Sequence, residues 1–461
     1  MPIVGACIVP HPPLILPAVG NGEEKKIART VAAYEEASRR AAALSPDALV
    51  IASPHAATYS DYLAISPGSR AEGSFRQFGA PQEKVSVEYD EGLVRAIVRE
   101  ASLAGIPAGT LGERNPSLDH GTMVPLHFLF HADFHPKIVR IGISGLSPLE
   151  HYRFGQCVAR AAEATGERVF FVASGDLSHK LREDGPYGFS PEGPVFDEQI
   201  GQAISTADFG RFLHFSETFC EAAAECGLRS FQILAGALDG KSVDPELLSY
   251  EGPFGVGYAV ASFRIGGNDS SRKFGLRFEA EEREELGRIA AAEDPYVALA
   301  RKALETFVRT GKRLPRPEGL PEPLTRERAG VFVSLHKENR LRGCIGTISP
   351  TAACVADEIL RNAVHSGTED PRFEPVTADE LPRLVYSVDV LGTAEPIADK
   401  TLLDVKRYGV IVRRGTRTGL LLPNLEGVDT IDEQVRIALR KAGIGEEEPY
   451  ALERFEVIRH H

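Results

Sequence analysis

Ile3-Val4-Gly5-Ala6-Cys7-Ile8-Val9-Pro10-His11-Pro12-Pro13 opens the chain with an unbroken run of apolar and small residues that stops at a histidine set between prolines. A run of this kind, with no polar alternation, reads as a strand buried on both faces, the condition of a parallel sheet covered by helices. The pattern recurs twice. Ala48-Leu49-Val50-Ile51-Ala52 leads into Ser53-Pro54-His55, and Val169-Phe170-Phe171-Val172-Ala173 leads into Ser174-Gly175-Asp176-Leu177-Ser178-His179. In open α/β sheets ligands gather outside the carboxyl ends of the strands, so three histidines placed just after three strands should face one crevice. Proline beside His11 and His55 restrains the backbone there. Imidazole is the commonest side chain to bind a transition metal, which makes these two the first candidates for metal ligands. His179 is a candidate ligand or proton-transfer group.

Working outward, Ile138–Ile143 and Gly257–Phe263 read as further strands. Glu23–Ala43, Glu91–Leu103, Pro148–Thr165, Phe196–Ser205 and Leu228–Leu238 carry apolar residues at helical spacing. Alternating strands and helices predict a layered α/β domain on a mixed sheet over residues 1–266. The turn-forming stretch Gly266-Gly267-Asn268-Asp269-Ser270-Ser271 and the charge run Glu279–Glu285 predict a linker over 267–289 whose charges form a solvated helix face. Residues 290–461 then read as a smaller α+β domain: a helix at Pro295–Thr310, a proline-rich connector from Leu314 to Leu324, and mixed elements after it.

A length of 461 residues suits two cores better than one. The formal charge of -13 argues against general nucleic-acid binding, which needs a basic surface. Six cysteines without a Cys-x-x-Cys pair resemble neither a disulfide scaffold nor a zinc knuckle, so a reducing, cytoplasmic compartment is expected. The apolar N-terminus lacks a basic flank and is broken by prolines, unlike a signal peptide, and no stretch has the length of a membrane span. One local exception to the acidic balance runs from Arg301 to Arg342, with eleven Lys and Arg against five Asp and Glu. It reads as a solvated face or as a contact for an anionic partner.

Other residues qualify for the first domain's site. His120 stands in Asp119-His120-Gly121-Thr122-Met123-Val124-Pro125-Leu126, where Asp119 can orient an imidazole or cap a turn. Glu225-Cys226-Gly227-Leu228 begins a late helix and offers a carboxylate and a thiol side by side. Glu251, before the last strand, is a turn residue, pocket wall or alternative ligand, and Tyr187 stands in a glycine- and proline-containing loop suited to a substrate lid. His127, His131, His135, His151 and His214 lack a strand-end placement and read as structural or surface groups.

Taken together, Val-Pro-His-Pro-Pro, Ser-Pro-His, Asp-His-Gly-x-x-Val-Pro-Leu and Gly-Asp-Leu-Ser-His, in this order, resemble the class III extradiol dioxygenases of the LigB type and their relative Memo, over about residues 1–265. The resemblance implies non-haem Fe(II) held by two histidines and a carboxylate, with open positions for a catechol-like aromatic diol and dioxygen. His11 and His55 would be ligands, His179 and His120 would serve as base, acid or oxygen-pocket groups, and Asp119 would join the catalytic set as the orienter of an imidazole. Glu225 would complete the ligand set. Cys-Gly at 226–227 also resembles Memo, in which a cysteine joins the histidines; Cys226 would then favour a softer ion and other redox or hydrolytic chemistry. Zn, Mn or Cu are the alternatives to iron, and a scaffold that binds a partner at the old active site is the alternative to an enzyme. A homo-oligomer is expected.

In the second domain, Leu341-Arg342-Gly343-Cys344-Ile345-Gly346 and Asp370-Pro371-Arg372-Phe373-Glu374-Pro375-Val376 resemble the AMMECR family over about residues 290–461. That likeness implies a fold and an accessory role, and the joining of the two families implies a radical-SAM protein as a partner. Arg342 beside Cys344 offers a way to lower the thiol's pKa.

Overall fold

The computed structural model describes residues 2–130, 133–338, 340–425 and 427–461. They form two compact units, Met1–Glu279 and Ala280–His461, divided within the helix Phe274–Ala292.

The first unit is built on a six-stranded sheet in the order Lys137–Gly142, Ala48–Ser53, Val169–Ser174, Ile3–Val9, Tyr258–Asn268, Lys241–Glu251. The first four strands run parallel and the last two add as an antiparallel hairpin. Every residue of Ile3–Val9, Ala48–Ser53 and Val169–Ser174 is buried, because helices cover both faces. One face packs Ile8, Val50, Ile141 and Phe171 against the helices Glu91–Leu103, Pro148–Thr165 and Leu228–Ala237. The other packs Cys7, Ile51 and Val172 against the helices Ala28–Ala43 and His120–Leu129. The expected helix from Glu23 is two pieces, a 3-10 turn over Glu23–Ile27 and an α-helix from Ala28. The last strand runs through Gly266 and Gly267 to Asn268, past the expected boundary, and Phe274 still belongs to the first core.

The second unit is a seven-stranded sheet whose pairings are all antiparallel. Pro295–Thr310 and Val355–Thr368 bury Val297, Leu304, Ile359 and Ala363 with Val333 and Val388 of the sheet, and Ile431–Ala442 packs on a smaller cluster around Val410 and Leu439. Runs of strands with helices to one side are the α+β arrangement. No helix among the described residues is long and apolar enough to cross a membrane.

Candidate metal centre

Strand register sets three chain exits side by side. Val9 lies opposite Ser174, and Ala52 opposite Ala173, so Pro10-His11, Ser53-Pro54-His55 and Gly175-Asp176 leave the sheet at one level. His11 is only 2% exposed. Its backbone N–H donates to Asp176 Oδ1 at 2.8 Å, and its Nδ1 lies 2.9 Å from Ser174 Oγ. That hydroxyl donates to the Gly121 carbonyl at 2.6 Å. A hydroxyl has one proton, so toward His11 it accepts; Nδ1 therefore carries the hydrogen and Nε2 presents its lone pair to the crevice.

Around that lone pair stand two further ligand atoms. His55 Nε2 is 3.0 Å away and Cys226 Sγ is 3.7 Å away. The ligand atoms of His11, His55 and Cys226 all lie within 4.8 Å of one another. Burial, reinforced by His55, holds the His11 imidazole well below its ordinary pKa, and burial also lowers His55. Both rings are therefore poor hosts for a proton near neutrality. At 3.0 Å a neutral His55 in its Nε2–H tautomer donates to the His11 lone pair; in its other tautomer both nitrogens turn lone pairs to the same point. Two such nitrogens and a sulfur make a donor set that fits a metal ion. Burial pushes the Cys226 thiol up, and Asp176 and Glu225 add to the effect. A bound cation reverses that preference by displacing the proton.

Cys226 reaches the centre because two glycines let backbones touch. A Cβ on Gly175 would lie 2.1 Å from the Gly227 Cα, and one on Gly227 would meet Phe231 at 2.5 Å and the Asp176 carbonyl at 3.0 Å. Only hydrogen fits at either position. Of the two alternatives read from the sequence, the structure brings Cys226 to the imidazoles, and Glu225 points elsewhere. The Glu225 carboxylate accepts the Leu228 N–H at 2.7 Å at the start of the helix Leu228–Ala237 and lines a separate pocket with Cys220 and Arg229. The divergence has a simple origin: neighbouring residues entering a helix project in different directions, and the orphan N–H groups there attract a carboxylate.

The remaining candidates divide in the same way. The His120 ring centre lies 4.0 Å from that of His55 and 5.4 Å from that of His11. Burial, with His55 and His11, lowers its pKa to about 3, so it is neutral. Asp119 binds no imidazole among the described residues. It caps the helix His120–Leu129 through Thr122 N at 2.9 Å and accepts the Ser53 hydroxyl at 2.6 Å. His179 packs beside Tyr187, with ring centres 5.1 Å apart, and its buried Nδ1 has no hydrogen-bond partner among the described residues. Glu251 is not at the centre: its carboxylate accepts Thr30 N–H at 2.8 Å and Thr30 O–H at 2.7 Å, anchoring a helix. His151 is buried, with Nδ1 on the Ser147 carbonyl at 2.9 Å and Nε2 accepting Ser144 N–H at 3.2 Å. His127, His135 and His214 pack beside Phe128, Phe130 and Phe278, and His131 lies outside the described residues. Asp176 and Ser174 went unassigned from the sequence although both stand in the third strand-end motif. The hydroxyl one residue inside the strand end was the available signal, since a metal-binding histidine needs a partner on its other nitrogen.

A cleft of about 1110 Å³ opens beside His55 and His120, walled by the hairpin Arg70–Phe75 with Ala80–Glu88 and by residues 112–118. Arg140, 2% exposed, lies at its base, paired with Glu113 and, at 3.6 Å, with Asp119.

Among the described residues of the second unit, Cys344 has no comparable company. Ser334 Oγ donates to its sulfur at 3.2 Å, and burial raises its pKa. Arg342, expected to activate it, instead holds Glu380 through two bonds of 3.0 Å. Arg372 is the cation whose charge favours the Cys344 thiolate, and it is itself tied to Asp370 at 2.6 Å.

A doubly wound sheet with a histidine-thiol pocket at the carboxyl ends of its parallel strands defines a class of metal-binding α/β protein. Residues 5–261 match the family model for the catalytic LigB subunit of aromatic ring-opening dioxygenase, and residues 297–460 match the AMMECR1 model. The chain belongs to the LigB family and carries an AMMECR1 domain after its LigB domain. A Clostridium acetobutylicum protein is 42% identical over 471 residues, spanning 100% of this chain and 99% of its own. A Thermotoga maritima protein is 51% identical over 170 residues, covering 36% of this chain and 98% of its own. Among solved structures, uncharacterized protein PH0010 from Pyrococcus horikoshii overlaps 36% of this chain and 88% of its own at 34% identity, with a TM-score of 0.34. Uncharacterized protein JW3007 from Escherichia coli K12 overlaps 57% and 99% at 16% identity, with a TM-score of 0.38.

Proposed function

We propose that the LigB domain is a metal-dependent oxidoreductase whose ion is held by His11, His55 and Cys226, and that substrate enters by the cleft beside His55. The observation that carries this reading is the convergence of the two Nε2 atoms and the sulfur within 4.8 Å while Glu225 is engaged elsewhere. A thiolate among the ligands favours a softer ion such as copper or zinc over Fe(II). Bound there, the metal supplies Lewis acidity and, if redox-active, an electron path. The chain's own residues do the rest. Ser174 keeps the His11 lone pair directed at the ion, and Asp176 holds the His11 backbone. His120, neutral at physiological pH and lining the cleft, accepts a hydrogen bond from a substrate hydroxyl.

A second reading keeps Fe(II) and extradiol cleavage of a catechol-like diol by dioxygen, the activity named for the matched family. It is favoured by Asp176, whose Oδ2 lies 3.9 Å from His11 Nε2 and offers a carboxylate where Glu225 offers none. Metal analysis of the purified full chain, beside Cys226→Ala, Glu225→Ala and Asp176→Asn, separates the two. The first reading requires metal loss in Cys226→Ala and retention in Glu225→Ala. Iron retained by Cys226→Ala and lost in Asp176→Asn, with dioxygen uptake across a catechol panel, supports the second.

A further inference from the structure

We infer that the cleft beside His55 takes substrates that carry an anionic group, a carboxylate or a phosphate, and that Arg76, Lys84 and Arg114 receive it. The inference rests on the metal-site reading above and names the substrate class for that site. Six charged side chains line the cleft: Glu72, Arg76, Lys84, Arg114, Asp119 and Arg140. Two are consumed inside the protein, since Arg140 pairs with Glu113 and Asp119, and Asp119 also caps a helix. That leaves three cations and a single carboxylate facing the same space.

Arg76, Lys84 and Arg114 are exposed, and none makes an ion pair or side-chain hydrogen bond among the described residues. This runs against the rest of an acidic chain whose net charge is -13. On the same hairpin Arg70 faces Glu88 across the strands and pairs with it at 2.9 Å. Lys84 instead faces Ser74, a neutral residue. Three like charges around one concavity repel. An incoming anion removes the repulsion and gains charge-assisted hydrogen bonds. His55 and His120 line the same cleft, so a substrate anchored by its anionic end can present its other end to the imidazoles. The volume of about 1110 Å³ suits an organic acid or phosphate ester of small-molecule size.

The test is calorimetric titration of the metal-free full chain at low salt with benzoate, phenyl phosphate and the neutral comparator phenol. The expected result is that at least one anion binds roughly tenfold or more tightly than phenol, the span of one to two charge-assisted bonds. That preference should shrink with added salt and vanish in Arg76→Ala/Lys84→Ala/Arg114→Ala. Which anion wins identifies carboxylate or phosphate as the source. Equal binding of phenol and both anions, no measurable binding of either anion, or a preference that survives the triple substitution overturns the inference. Far-ultraviolet circular dichroism checks that the triple variant is folded, and Arg114→Ala alone should already lower the preference. Metal content is measured in parallel on the untreated protein; its absence there would sink the metal reading and leave the anion result readable.

Discussion

Cys226 and Cys344 are both half-buried thiols beside glycines, yet they sit in opposite chemical settings. Around Cys226 the neighbours are lone-pair donors, with His11 Nε2 at 3.7 Å and His55 completing the group. Around Cys344 the neighbours are a serine hydroxyl and arginines already committed to carboxylates: Arg342 to Glu380 and Arg372 to Asp370. A thiol beside two imidazole nitrogens is the donor set that the proposed metal site requires. A thiol among completed ion pairs is a packed side chain.

The sharpest way to break that contrast is to remove each thiol in turn. Cys226→Ala and His11→Ala should each lower metal affinity roughly 100-fold or more, beyond the range seen for supporting residues, while Cys344→Ala leaves metal content at the wild-type value. Equal metal retention in all three by elemental analysis would end the comparison. Next in size is Ser174→Ala, which frees the His11 tautomer without touching a ligand; about a 10- to 100-fold weaker metal affinity in a chelator competition is expected.

A smaller effect concerns pH and a structural histidine outside the proposed metal site. Burial lowers His151 from 6.5 to about 3. The unfolded chain therefore binds a proton near pH 6.5 that the folded chain refuses until about pH 3. Stability from this group is complete above pH 6.5 and falls as pH drops through that window. Urea unfolding at pH 7.5 and 5 should show a loss that is shallower in His151→Gln, and an unchanged slope would refute the assignment. The smallest effect lies in the second unit. Arg342→Ala should leave the rate of Cys344 alkylation unchanged because its charge is spent on Glu380, whereas Arg372→Ala should slow it by removing the cation that favours the thiolate.

Much of the first unit was legible because its strands are short, wholly apolar and bounded by Pro or Gly. Ile3–Val9 and Ala48–Ser53 needed no knowledge of their partners to be recognised. The linker was less legible, since Gly266 and Gly267 look like a turn but continue a strand paired across the hairpin with Lys241–Glu251. Asp119 read as an orienter of an imidazole, with a cap as the alternative. Its contacts with Ser53 and Thr122, one of them 66 positions away in the chain, are what show it capping.

Local pattern was enough to say that histidines follow buried strands, because burial on both faces is written in consecutive residues and a strand end has only one exit. It was not enough to choose between Glu225 and Cys226, which are adjacent in sequence and differ only in direction. That choice depends on Gly175 meeting Gly227 and on a sulfur reaching an imidazole 215 residues away. Charge pairing follows the same logic. Arg342 beside Cys344 and three cations around one cleft are indistinguishable as letters from any basic residues, and only the fold decides which of them finds a carboxylate.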